Sequence, residues 1–202
     1  MPILILLGLA AFLYFKGEDT LNTVVQNLDA WNKYDEKFKY YASKNGLPSD
    51  GWLWLKAIAL NESSLGQNPL VKTGLWSSDG LSRGIMQLTV ATANDYQHWV
   101  SNVATLKRDN PKKYEEIASL LDNDDLSINL SAQHFARLYR KFGRTLEHAV
   151  KAYNQGEGNM AKEIALRASR GIAANGVEIA EYPAAANYWR RFEKNLAKAK
   201  EG

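Results

Sequence analysis

The segment WLWLKAIALNE, residues 52–62, decides how this chain is read. Leu55, Ile58, Ala59 and Glu62 stand at i, i+3, i+4 and i+7. In a helix these four share one face, so the spacing places a carboxylate on an apolar stripe. A surface glutamate belongs on the opposite face. Glu62 is therefore either a buried misfit or an acid kept protonated for use, because removal from water favours the neutral carboxyl.

The neighbouring sequence frames this helix. Ser49 or Asp50 is positioned to cap its start. Upstream, LDAWNKYDEKFKYYASKNG (residues 28–46) has the pattern of an amphipathic helix ending at Gly46. Downstream lies a polar loop that closes at a tight Gly84 turn, with a helix expected over IMQLTVATANDYQHW (residues 85–99), capped or padded by Thr89 and Thr92. NPKKYEEIASLLDND (residues 110–124) reads as a short charged helix. Ile128, Ala132, Phe135, Tyr139 and Phe142 step by four and three toward a stop at Gly143. TLEHAVKAYNQGEGN runs into a glycine turn, and MAKEIALRASRG and YPAAANYWRRFEKNLAKAK supply two last helices. No strand alternation and no internal repeat is evident. The fold class is mainly α, a multi-helix domain over residues 28–202.

Four ordered motifs then bear on chemistry: NESSLGQNP, SRGIMQLTVATA, AVKAYNQGEGN and EIAEYPAAANYW. Together, across residues 47–189, they resemble the SLT-type lytic transglycosylase domain, which shares the lysozyme-like fold of goose-type lysozyme. The resemblance implies a lysozyme-like multi-helix domain acting on peptidoglycan glycan strands without cofactor or metal. It places the single catalytic acid at Glu62. Such an acid protonates the glycosidic oxygen between N-acetylmuramic acid and N-acetylglucosamine. It then acts as base on the muramoyl 6-hydroxyl, closing a 1,6-anhydro ring. By the same resemblance Ser63 orients the turn or the carboxyl, Met86 packs on the sugar and Gln87 hydrogen-bonds sugar or acid. Tyr153 and Asn154 belong to the substrate site, Asn154 as the residue that meets acetamido groups, and Tyr182 matches the tyrosine that bonds the acid. Departures from the family pattern are Leu65 for an aromatic, Gln155 for a small residue, Ile179 for threonine and Pro183 for valine. The last two leave Tyr188 as a second candidate for the acid's partner.

Two other functions fit parts of the sequence. A hydrolytic muramidase needs a second carboxylate to activate water, and Asp79 and Asp95 lie near the motifs. A non-catalytic glycan-binding module would keep the fold without the acid. Nucleic acid is not an expected partner: the net charge is only +3, and LKRDNPKKY is read as a solvated basic loop. With no cysteine, thiolate zinc sites and disulfides are excluded. His98, His134 and His148 lack the i,i+4 pairing of a histidine metal site.

The N-terminus is a separate segment. MPILILLGLAAFLYF (residues 1–15) is apolar throughout and is followed by Lys16. As a helix it reaches roughly 22 Å, short of a bilayer core of about 30 Å. It is expected to act as a membrane anchor or membrane-active tip, residues 1–16, joined by a linker over 17–27. That arrangement suggests membrane contact at the cell envelope or periplasm, with virion or envelope-machine proteins as further partners.

Overall fold

A computed structural model describes residues 30–67, 82–176 and 178–201. The chain divides into Met1–Glu36 and Lys37–Gly202, and the second unit holds the site. The expected anchor and linker, residues 1–27, lie outside the described residues. Among the described residues no helix is long and apolar enough to cross a membrane.

Among those residues the architecture is mainly α: α1 Asp35–Lys44, α2 Gly51–Ser63, α3 Val90–Gln97, α4 Val103–Asp109, α5 Pro111–Ser119, α6 Asp124–Lys141, α7 Leu146–Gln155, α8 Glu157–Ser169 and α9 Pro183–Glu201. Two short strands, β1 Ser82–Arg83 and β2 Leu88–Thr89, pair antiparallel, Ser82 opposite Thr89 and Arg83 opposite Leu88.

Helix α2 forms the centre. Trp54, Leu55, Ala57, Ile58 and Ala59 are buried, and Lys56 is enclosed too, its ammonium 6.0 Å from the Trp52 ring. Helix α9 packs along α2 most extensively, and α6 also touches it. Asp50 holds the N-cap position of α2, but its side chain makes no capping bond. The C-terminus ends sharply, because Ser64 (φ 52°) and Leu65 (φ 58°) are both left-handed. Their N–H groups return to Leu60 and Ala59 carbonyls at 3.2 Å each, satisfying the last turn. Glu62 is thus fixed in the final turn of a helix anchored on several sides.

The structure departs from the sequence reading at residues 85–89. A helix was expected from Ile85, but the chain forms a hairpin there, and α3 begins only at Val90. Gly84 (φ 75°) and Gln87 (φ 48°) flank the turn in left-handed conformations that no α-helix accommodates. Thr89 caps α3, its hydroxyl accepting the Thr92 N–H at 3.1 Å. Gly84 is required by space as well as by φ, since a Cβ there would lie 2.0 Å from the Leu121 carbonyl oxygen and 2.8 Å from Ser127 Oγ. Buried Arg83 fastens the hairpin, with Nη2 2.7 Å from Asp122 Oδ2 and a second bond to Glu115.

Helix α4 was not anticipated. It buries no residue and is held at its start by Asn102, whose Oδ1 accepts from Thr105 N–H at 2.9 Å. The break between α7 and α8 falls at Gly156 (φ 82°). Behind that break lies a buried ionic group. Lys151 Nζ is 2.6 Å from Glu147 and 3.2 Å from Glu163, and Arg167 reaches Glu163 at 2.8 Å. Gln155 joins it through Glu163 at 2.9 Å. This is the physical role of the glutamine that departs from the family pattern: it ties the end of α7 into a neutral, paired network.

Candidate active site

Glu62 is partly buried at the wall of a cavity of about 150 Å³. The described lining also includes Gln87, Thr92, His134, Tyr153 and Asn154. Three layers position the acid. Asn61, one residue earlier, donates to the Tyr188 carbonyl at 3.2 Å and accepts from Asn195 at 2.6 Å, clamping α2 to α9. The clamp sets the register that brings the Tyr188 hydroxyl to Glu62 Oε1 at 2.6 Å. Ser63, 2% exposed, lies 2.6 Å from the Ile85 carbonyl and 3.1 Å from that of Ala59, and accepts from Gly66 N–H at 2.8 Å. It joins the helix end to the hairpin.

The electrostatics follow from this geometry. Loss of water raises the Glu62 carboxyl from 4.5 to about 7. The Tyr188 hydrogen bond and the Arg191 charge oppose that rise without cancelling it. The carboxyl therefore carries its proton over much of the neutral range, as a general acid requires. Tyr188 itself is pushed well above 10, by burial and then by the neighbouring Glu62 charge. It stays a neutral donor. Tyr153 is raised for the same reasons, burial first.

The sequence-derived residues sort into two groups. Glu62, Gln87, Tyr153 and Asn154 all line the cavity. Asn154 is exposed, and among the described residues its side chain has no hydrogen-bond partner. Gln87 is 8% exposed and turns its Nε2 back to the Gly84 carbonyl at 3.0 Å. Tyr153 presents its ring, since its hydroxyl is used internally. It donates to the Met86 carbonyl at 2.8 Å and stands 3.1 Å from Ser131 Oγ. A phenol has one hydrogen, so Ser131 donates in return.

Met86, Ser63 and Tyr182 stand elsewhere. Met86, in the turn of the hairpin, is fully buried; its side chain fills the core and its carbonyl anchors Tyr153. Ser63 acts on backbone alone, so it positions the acid and does not face a substrate. Tyr182 is partly exposed just before α9 and is not in the cavity lining. The acid's partner is Tyr188, one and a half turns into α9. Because α9 begins at Pro183, a tyrosine on the helix reaches Glu62, while one in the preceding turn does not. Sequence reasoning missed Asn61, Asn195 and Ser131, whose partners lie far along the chain. It set His134 aside as an unpaired histidine. Asp95 is exposed on α3 and outside the lining, and Asp79 lies outside the described residues. Among the described residues no group of three His, Asp or Glu side chains could hold a metal.

A helical domain carrying one desolvated carboxyl at the wall of a polar cavity has the arrangement that a glycosidic-bond-cleaving enzyme needs for its general acid. The transglycosylase SLT domain model matches residues 36–175, most of the chain, and the chain belongs to that family. It is a lytic transglycosylase, a glycosidic-bond lyase acting on peptidoglycan. Comparison with curated proteins and with solved structures gave no match.

Proposed function

We propose that this enzyme cleaves the β-1,4 bond between N-acetylmuramic acid and N-acetylglucosamine and leaves 1,6-anhydro-muramoyl ends. One observation carries the reading: Glu62 is the only carboxylate in the described cavity lining. Its proton passes to the glycosidic oxygen as the bond from the muramoyl C1 breaks. The resulting carboxylate removes the proton of the muramoyl 6-hydroxyl, whose oxygen bonds to C1. Glu62 ends protonated, and no water is consumed. The 6-hydroxyl is held on the same sugar, so its effective concentration exceeds that of a diffusing nucleophile. Mass spectrometry of muropeptides released from purified sacculi tests this. Anhydro ends, lighter by one water than reducing ends, are the expected product. Reducing muramic ends alone would favour a muramidase and turn attention to Asp79.

The setting we infer is local wall opening at the cell envelope, with residues 1–15 as the membrane-contacting segment. The support is the uninterrupted apolar run and the charged sequence after it. A virion component that opens the wall for genome entry, or a wall-opening subunit of an envelope machine, matches a single lytic domain with such a segment. Fractionation of cells producing the full chain, beside a deletion of residues 1–15, tests the membrane role. The full chain should sediment with membranes and the deletion should be soluble and lytic. An inactive or insoluble deletion would place the segment in the folded domain.

A further inference from the structure

Among the polar side chains of the cavity that the reaction above does not use, His134 carries the longest chain of hydrogen bonds behind it. His134, on α6, lines it beside Tyr153, their ring centroids 5.6 Å apart. Its Nδ1 lies 3.2 Å from the Tyr96 hydroxyl on α3. That hydroxyl also accepts from Arg137 Nε at 3.0 Å. Arg137 continues to Glu157 Oε2 at 2.8 Å, where Lys141 Nζ arrives at 3.0 Å.

This chain of bonds favours one tautomer. Arginine can only donate, so the Tyr96 oxygen accepts from it. Tyr96 has a single hydroxyl hydrogen, and among the described residues His134 Nδ1 is the acceptor within reach. In the favoured tautomer Nδ1 offers a lone pair to the Tyr96 hydroxyl and Nε2 carries the ring hydrogen. Burial, aided by the Arg137 charge and opposed by Glu157, lowers the imidazole to about 4. The ring is neutral where the enzyme works, and the nitrogen left for a ligand is a neutral donor.

We propose that His134 is a specificity-determining residue whose Nε2–H donates to an acetamido carbonyl oxygen of the bound glycan. The inference rests on the cavity being the glycan site. A neutral donor suits a neutral acceptor, and the amide carbonyl is the strongest neutral acceptor on such a strand. Asn154, exposed in the same lining with an amide to spare, complements the same group. A de-N-acetylated sugar presents an ammonium there, which has no acceptor for the imidazole hydrogen. The cavity should thus discriminate N-acetylated from de-N-acetylated strands.

The test compares wild type, His134→Ala, His134→Gln and Tyr96→Phe on purified sacculi before and after partial chemical de-N-acetylation, with thermal melts as the check on folding. His134→Ala should raise KM for acetylated sacculi by about tenfold, the loss of one hydrogen bond, with a smaller effect on kcat. Its preference for acetylated over de-N-acetylated material should shrink. His134→Gln supplies an amide N–H in nearly the same place and should recover most of the loss. Nitrogen-15 NMR of the imidazole should show the Nε2–H tautomer in wild type and a mixture in Tyr96→Phe. A folded His134→Ala with wild-type KM and undiminished acetyl preference would overturn the proposal, as would an Nδ1–H tautomer in wild type. Release of no muropeptide by the unmutated enzyme would instead overturn the glycan reading, and that control precedes the variants.

Discussion

Replacing Glu62 by Gln should make the folded protein more stable and nearly inactive, and the stability gain should depend on pH in a defined direction. The carboxyl titrates near 4.5 when the chain is unfolded and at about 7 when folded. Between those values the folded state holds the extra proton, so stability falls as pH rises through the window and levels off above it. At about 1.4 kcal/mol per pH unit the full cost is about 3 kcal/mol. Because Glu62 is partly open to the cavity, solvent screening reduces this to about 2 kcal/mol. The glutamine keeps an oxygen for the Tyr188 hydroxyl and never charges, so it escapes the cost. For a chain of this size the gain corresponds to a rise in Tm of about 5 °C. Thermal melts followed by circular dichroism at pH 4 and pH 8.5 measure it directly. The two proteins should melt together at pH 4 and separate at pH 8.5, with the variant higher. An equal difference at both pH values would refute the argument, since it would show that Glu62 is not held neutral by its surroundings. In the same samples, lysis of sacculi by the variant should fall by about two orders of magnitude or more. Wild-type activity should decline as pH rises through about 7, the value at which the acid loses its proton.

Three further outcomes follow from the supports of the acid. Tyr188→Phe removes the bond that favours the ionised carboxyl, so the alkaline limb of the pH–rate profile should move up by about one unit while kcat falls about tenfold; an unmoved limb would detach Tyr188 from the acid. Ser63→Ala leaves the Ile85 carbonyl without its buried hydroxyl donor, while the Gly66 N–H keeps the residue 63 carbonyl at 3.1 Å, and denaturant unfolding should show a loss of about 1–3 kcal/mol. Gly84→Ala drives a methyl against the Leu121 carbonyl at a left-handed φ, and should cost about 3 kcal/mol or more, seen as a lower Tm or insoluble protein.

Local pattern carried much of this molecule. The helical spacing from Leu55 to Glu62 placed an acid on an apolar face, and the folded chain desolvates it there. Gly46, Gly84 and Gly143 marked real stops because each adopts a left-handed φ. The failures were of two kinds. Residues 85–89 looked helical because Ile85, Met86 and Leu88 are apolar and close together. Their burial in a two-stranded turn depends on Gln87 taking a positive φ, which its side chain does not announce. Helix α4 has no buried face, so it left no hydrophobic period to detect. The pairing of the acid with Tyr188 in preference to Tyr182 depends on where α9 starts and on the Asn61–Asn195 clamp. Both are facts of tertiary register across more than a hundred residues. His134 was set aside for the absence of a metal-binding partner, whereas burial beside Tyr96 and Arg137 keeps its ring neutral in the cavity wall.

Digestion of purified sacculi in water enriched in oxygen-18, followed by mass spectrometry of the new glycan ends, tests the central claim most directly. If Glu62 acts alone, first as acid and then as base toward the sugar's own 6-hydroxyl, the new muramoyl ends will be anhydro and will carry no label, and Glu62→Gln will form them more slowly by about two orders of magnitude or more. Muramoyl ends bearing one oxygen-18 would show that water is the nucleophile, and would contradict the single-carboxylate account.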